Sequence, residues 1–270
     1  PDREGVDSDL LGLKGLALMT AGQREEATKF IDALAEREDD HVAMAWHEAL
    51  TASKPGEQDS ARQLVRSYDR ALEHVPNHPY FLFAKGNALA SMNEHDLAIS
   101  VWRDAAQRTP AWPAPLIRIA RSLLETDRAE QAYGVAREAL KRAENSVPAA
   151  LVLAESLHTA IRDEQGEAAD QLMKLVDEIQ KLAPGEPRSA AIRIDLLARR
   201  GETQAARDAM LALLEGERQL SGKDLLRLAT ISRRHDLGLA ERCVSQCEEA
   251  YGPSAAVDYA RATALASEGH

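Results

Sequence analysis

Apolar and polar positions along this chain alternate with a helical rhythm. In Pro79–Pro110, PYFLFAKGNALASMNEHDLAISVWRDAAQRTP, the stripe Leu82, Gly86 and Leu89 predicts a helix over Phe81–Ser91. A second stripe, Ala98, Trp102 and Ala105, predicts another over Leu97–Gln107. Together they predict a helical hairpin. Gly86 and Ala98, twelve positions apart, stand where the two helices cross closely, and Leu82, Leu89 and Trp102 fill the space around that contact. Pro110 stops the second helix. No convincing run of alternating β-branched residues occurs, so strands are not expected.

The arrangement recurs. Residues 11–27, LGLKGLALMTAGQREEA, repeat the Lys-Gly-x-Ala-Leu string of residues 85–89 and again place an alanine twelve residues after the glycine. With that second-helix alanine as a marker, the chain offers Ala27, Ala61, Ala98, Ala132, Ala169, Ala206 and Ala240, spaced by 34, 37, 34, 37, 37 and 34 residues. In the second repeat a turn is expected at Lys54-Pro55-Gly56, and a second helix about one turn longer than the others accounts for the first spacing of 37. Thr109–Pro115, TPAWPAP, reads as a rigid connector, because its prolines let a helix begin at its end and not pass through it. Residues 1–8 read as a disordered lead, and Ser254–Ser267 as a single capping helix over the last repeat.

A period of 34 residues made of helix, turn and helix resembles the tetratricopeptide repeat, and the residues that carry the likeness in the best copy are Leu82, Gly86, Leu89, Ala98, Trp102, Ala105 and Pro110. The sequence departs from the pattern where Ile194 and Leu228 take small-residue positions. The resemblance implies an all-α solenoid over residues 9–270, a right-handed superhelix of about seven hairpins plus the C-terminal cap. It also implies that the first helices line a concave groove, with Trp46, His47, Tyr80, Phe83, Asn87, Arg118, Arg121, Glu125, Glu155, His158, Arg162, Arg188, Asp195, Arg199 and Arg233 directed into it. Such a groove begins aromatic and becomes rich in arginine, which suits a segment with an apolar end and an acidic or C-terminal carboxylate end. The carboxylate clamp known in the family places Lys and Asn at fixed groove positions. Here only Asn87 matches, with Phe83 and Arg118 standing where Lys and Asn are needed.

Composition narrows the chemistry. With 33 Lys and Arg against 44 Asp and Glu, the net charge of −11 argues against a nucleic-acid partner, since phosphate binding draws on basic residues. No apolar run reaches the ~20 residues of a membrane span, and the start PDREGVDSD lacks the basic and apolar regions of a signal peptide. The chain is expected to be soluble as given, cytoplasmic or periplasmic, and its opening at Pro1 suits a processed protein or a fragment of a longer one. Cys243 and Cys247 share a helix face, with only His235 nearby; as a pair they read as small buried packing residues, and no metal or other cofactor is expected. His74 and His78 read as solvent-facing residues of a polar turn. No phosphate-binding glycine loop and no nucleophile elbow is present, so no enzymatic activity is expected of these residues. The expected function is a protein-interaction scaffold or adaptor in a larger bacterial assembly. Two other readings compete with it, an accessory array of a glycosyltransferase- or sulfotransferase-like enzyme and a self-assembling structural subunit.

Overall fold

The computed structural model describes residues 3–37, 39–51, 60–161, 165–216, 219–233 and 235–267. Among them are fifteen helices and no strands. They pair as α1 (Arg3–Thr20) with α2 (Arg24–Ala35), α3 (His41–Thr51) with α4 (Ser60–His74), α5 (Pro79–Ser91) with α6 (His95–Arg108) and α7 (Ala114–Glu125) with α8 (Ala129–Arg142). Next come α9 (Val147–Ala160) with α10 (Glu167–Leu182), α11 (Pro187–Arg199) with α12 (Thr203–Leu214), α13 (Gly222–Ser232) with α14 (Leu237–Tyr251), and finally α15 (Ala255–Ser267) alone. The chain forms two compact units, Pro1–Ala143 and Glu144–His270.

Within each unit the hairpins pack in sequence order. First helices also touch one another directly, α1 on α3 and α5 on α7 in the N-terminal unit, and α9 on α11 and α11 on α13 in the C-terminal one. Second helices make no comparable contact with each other among the described residues, so in each unit the first helices form the closer-packed layer.

Close helix crossing accounts for the small residues. A Cβ added at Gly86 would lie 2.4 Å from Trp102 Nε1, and Ala98 opposite is fully buried. The Trp102 ring is 2 % exposed and donates from Nε1 to Phe83 O at 3.1 Å. Turns are set by residues with positive φ: Gly22, Gly185 and Gly201, with Asn77, Asn93 and Asp127 serving at equivalent places.

Three sequence expectations change. The first helix begins at Arg3, so residues 3–8, expected as part of a disordered lead, are helical. Ser8 is buried, donates to Asp40 Oδ2 at 2.5 Å and accepts from Arg37 Nη1 at 2.8 Å. Second, Ala61 does not take the marker position. Tyr68 and Ala71 are buried where Trp102 and Ala105 are, each 34 residues earlier, which puts Leu64 opposite Ala49 and the three extra residues before the packed part of α4, not at its end. The turn expected at Lys54-Pro55-Gly56 lies outside the described residues. Third, His78 is not solvent-facing. Its side chain is 15 % exposed, tilted over Phe81 with ring centroids 4.3 Å apart.

The seam between α1 and α3 depends on two carboxylates. Asp9 Oδ1 accepts from Trp46 Nε1 at 2.7 Å and lies 3.2 Å from His78 Nε2, while Asp40 caps α3 by accepting from the backbone of Val42 and Ala43. Burial pulls both carboxyls upward, yet the hydrogen bonds outweigh it and hold both below the ordinary 3.8. A folded-state value below the unfolded one means stability that is fully present above 3.8 and lost as pH falls through the folded value. The thermal midpoint of the parent is therefore expected to exceed that of Asp9→Asn/Asp40→Asn near neutral pH and to converge on it below 3.8. A gap that stays constant down to strongly acid pH would separate these carboxylates from acid lability.

Candidate functional site

The aromatic residues assigned to a groove divide into core and surface. Trp46 is 1 % exposed, and its indole is pinned by Asp9 and packed edge-on against Phe81 at 4.9 Å. An indole enclosed on this scale cannot anchor a bound chain, so Trp46 belongs to the core between α1, α3 and α5. Tyr80 is half-buried and stacks on Trp46 at 4.9 Å; burial pushes its hydroxyl pKa up, so the phenol is neutral. His47 on α3 is half-buried and its ring has no partner among the described residues.

Phe83 leads to a different surface. It is half-buried on α5, and its ring meets Trp112, from the connector before α7, at 4.7 Å and a 56° tilt. Sequence reasoning placed Trp112 in a rigid linker and missed it as a site residue. The available signal was the one large aromatic in the otherwise small and proline-rich string TPAWPAP. Asn87, one turn beyond Phe83, has a buried Oδ1 with no hydrogen-bond partner. On α7, Arg118 is exposed and pairs with no described residue, and Arg121 is half-buried three positions on, hence on the same side. Glu125 closes this stripe, its carboxylate 65 % exposed and 3.8 Å from His95 Nδ1. The N-terminal unit thus carries both an aromatic pair and a basic patch on neighbouring first helices.

In the C-terminal unit the inward charges are largely matched. Glu155 on α9 lies 3.9 Å from Arg188 Nη1 on α11 and 3.7 Å from Arg227 Nη1 on α13, and Arg188 also meets Glu186 at 3.1 Å. His158 Nε2 sits 2.7 Å from Asp195 Oδ2, and Arg199 Nη1 is 3.7 Å from the same oxygen. Glu155–Arg188 and His158–Asp195 tie α9 to α11, and Glu155–Arg227 reaches on to α13. Arg233 at the end of α13 is half-buried beside Ala229, Ala240 and Val244. Arg162 lies outside the described residues.

The pairing nearest to a nucleophile and base is Ser122 with His95, whose Oγ and Nδ1 are 2.7 Å apart. Ser122 is 2 % exposed, and Glu125 approaches the same ring nitrogen that faces the serine. A catalytic carboxylate orients the opposite nitrogen, so this contact reads as a tie between α6 and α7. Cys243 and Cys247 fill the core of α14, 0 % and 3 % exposed, and burial pushes the Cys243 thiol up to about 12. Among the described residues no three His, Cys, Asp or Glu side chains gather as metal ligands, and no helix is long and apolar enough to cross a membrane.

No protein-family profile and no curated protein sequence matches the chain. Solved structures do. A tetratricopeptide repeat protein from Parabacteroides merdae superposes with a TM-score of 0.66 at 13 % identity, over 96 % of this chain and 98 % of that one. A thermophilic TPR protein of Thermus thermophilus gives 0.59 at 18 % identity, over 70 % of this chain and 99 % of its own. YrrB, described as a TPR protein with an unusual peptide-binding site, gives 0.53 at 14 % identity over 68 % of this chain and 90 % of that one. Likeness at these identities speaks to the fold. The protein is an all-α helical-repeat solenoid. Its hairpins share the fold of the tetratricopeptide repeat proteins it resembles.

Proposed function

We propose that this chain is a protein-interaction scaffold that holds a segment of a partner protein against its first-helix layer. The observation that supports the reading most is the α5 and α7 face of the N-terminal unit, where half-buried aromatics and an exposed arginine stand without any described segment laid over them. A repeat array supplies surface area and little else, so function rests with what that surface can hold. One structural neighbour is described as having an unusual peptide-binding site, which supports a peptide or protein segment as the occupant here. Membership of a larger bacterial assembly is the finer form of the proposal, and it names no partner.

Affinity capture with the intact chain, followed by amide hydrogen exchange of the captured complex, tests the reading. Slowed exchange in α5 and α7 is the expected result. Slowed exchange confined to second helices, or no retained protein at all, would overturn it.

A second reading, self-association, is favoured by α1, where Leu10 and Leu13 are 60 % and 45 % exposed at a spacing of three, on one side of the first helix. Solution mass across a concentration series separates the two, since a scaffold of the proposed kind stays at the mass of one chain.

A further inference from the structure

We infer that the occupant of the α5 and α7 face is an extended acidic peptide segment with one apolar side chain, seated on the Phe83 and Trp112 rings, and a carboxylate two or three residues away at Arg118. This inference rests on the reading of a partner-binding first-helix layer. It adds the chemistry of what is bound and its place.

Phe83 and Trp112 come from different repeats, one from a helix and one from the connector, and their tilted rings leave both half-buried. An aromatic pair of this kind offers an apolar seat whose affinity comes from desolvating a side chain laid upon it. Arg118 lies four residues into α7, about 6 Å along the axis from the helix start, a span that an extended chain covers in about two residues. Lys14 on α1 is occupied by the Phe30 ring at 4.7 Å, and Lys85 on α5 by Asp69 at 2.6 Å, whereas the Arg118 guanidinium pairs with no described residue. In a chain with an excess of eleven acidic charges, an exposed arginine on the helix that follows the aromatic pair selects for a carboxylate, which matches its forked donors. In the C-terminal unit Arg188 and Arg227 both face Glu155, which supplies the carboxylate there. Glu125 on the far side of Arg121 repels acid placed further along, which keeps the carboxylate near Arg118.

The test uses a fluorescein-labelled peptide of Ser and Gly carrying one Leu and, two residues later, Asp-Asp, titrated onto the intact chain by anisotropy. Two controls replace Asp-Asp by Lys-Lys and Leu by Ala. The acidic Leu peptide should bind in preference to both controls. Trp112→Ala should weaken it about tenfold, as loss of an anchor does. Arg118→Glu should weaken it by about fivefold, near the upper end for an exposed pair, and should make the Lys-Lys peptide the preferred ligand. That exchange of preference reads binding chemistry and is insensitive to a modest loss of stability. Equal binding of all three peptides, or no exchange of preference in Arg118→Glu, overturns the inference. If none of the peptides binds while a captured partner still slows exchange in α5 and α7, the inference fails and the scaffold reading stands. If exchange there is unchanged as well, both fail.

Discussion

Trp46→Ala is expected to destabilise the protein by about 3–5 kcal/mol, the range for removing a fully enclosed large aromatic. The indole stands 1 % exposed between α1, α3 and α5, with Tyr80 stacked on one side and Phe81 edge-on. Its removal leaves a cavity beside the backbone of Gly12, where an added Cβ would now sit 2.1 Å from the ring, so neighbouring atoms already pack at the limit of approach. It also leaves Asp9 without the donor that holds it at 2.7 Å. Trp46→Phe should recover part of the loss, because a buried aromatic ring is kept while the Nε1–H donor and the volume of the second ring go; a half-buried carboxylate deprived of one hydrogen bond costs about 1 kcal/mol. Denaturant unfolding of the two variants checks this. A loss below about 1 kcal/mol in Trp46→Ala would return the residue to the surface, where partner binding and not stability should suffer.

Gly86→Leu is the second large effect, about 1–3 kcal/mol or more from overpacking. The first added carbon alone would lie 2.4, 2.5 and 2.8 Å from three atoms of the Trp102 ring, itself buried and held by Phe83 O. Trp102 has no empty space to rotate into, since Ala98, Ala105 and Ala106 around it are 0–4 % exposed. Gly22→Leu is the matched control. Nothing lies within 4 Å of a Cβ there, and only its φ of 77° is unfavourable, a strain of about 1–2 kcal/mol. The upper part of the Gly86→Leu range exceeds that strain, so Gly86→Leu is expected below Gly22→Leu in thermal midpoint. A smaller loss at Gly86 than at Gly22 would mean that α5 and α6 do not cross where Gly86 and Trp102 meet.

Much of this architecture is written in the sequence because repeats amplify weak signals. One glycine and one alanine twelve residues apart would mean little, but the same small-residue marker recurring along the chain at spacings of 34 and 37 residues sets helix, turn and phase together. Where the repeat is irregular, the inference slips. The string Ala49 to Leu64 spans fifteen residues, so a rule built on a spacing of twelve selects Ala61 and shifts the packed face of α4 by nearly one turn. Pairing between repeats is harder still to read. Whether an arginine is engaged depends on a partner that arrives from another helix: Arg227 meets Glu155 across 72 positions, and Arg188 meets it across 33. Periodicity put Arg118 and Arg199 in equivalent roles, and only geometry distinguishes the exposed one from the one beside Asp195. Trp46 shows the same limit, because a helical position facing a groove in one repeat faces a neighbouring helix where α1 extends to Arg3 and brings Asp9 over it.

One measurement bears most directly on the first-helix layer as the binding surface: amide exchange of the intact chain, free and with its captured partner, resolved helix by helix. Protection should appear in α5 and α7, reach the connector around Trp112, and leave α4, α6 and α8 at their free rates. Protection of those second helices with α5 and α7 unchanged would contradict it.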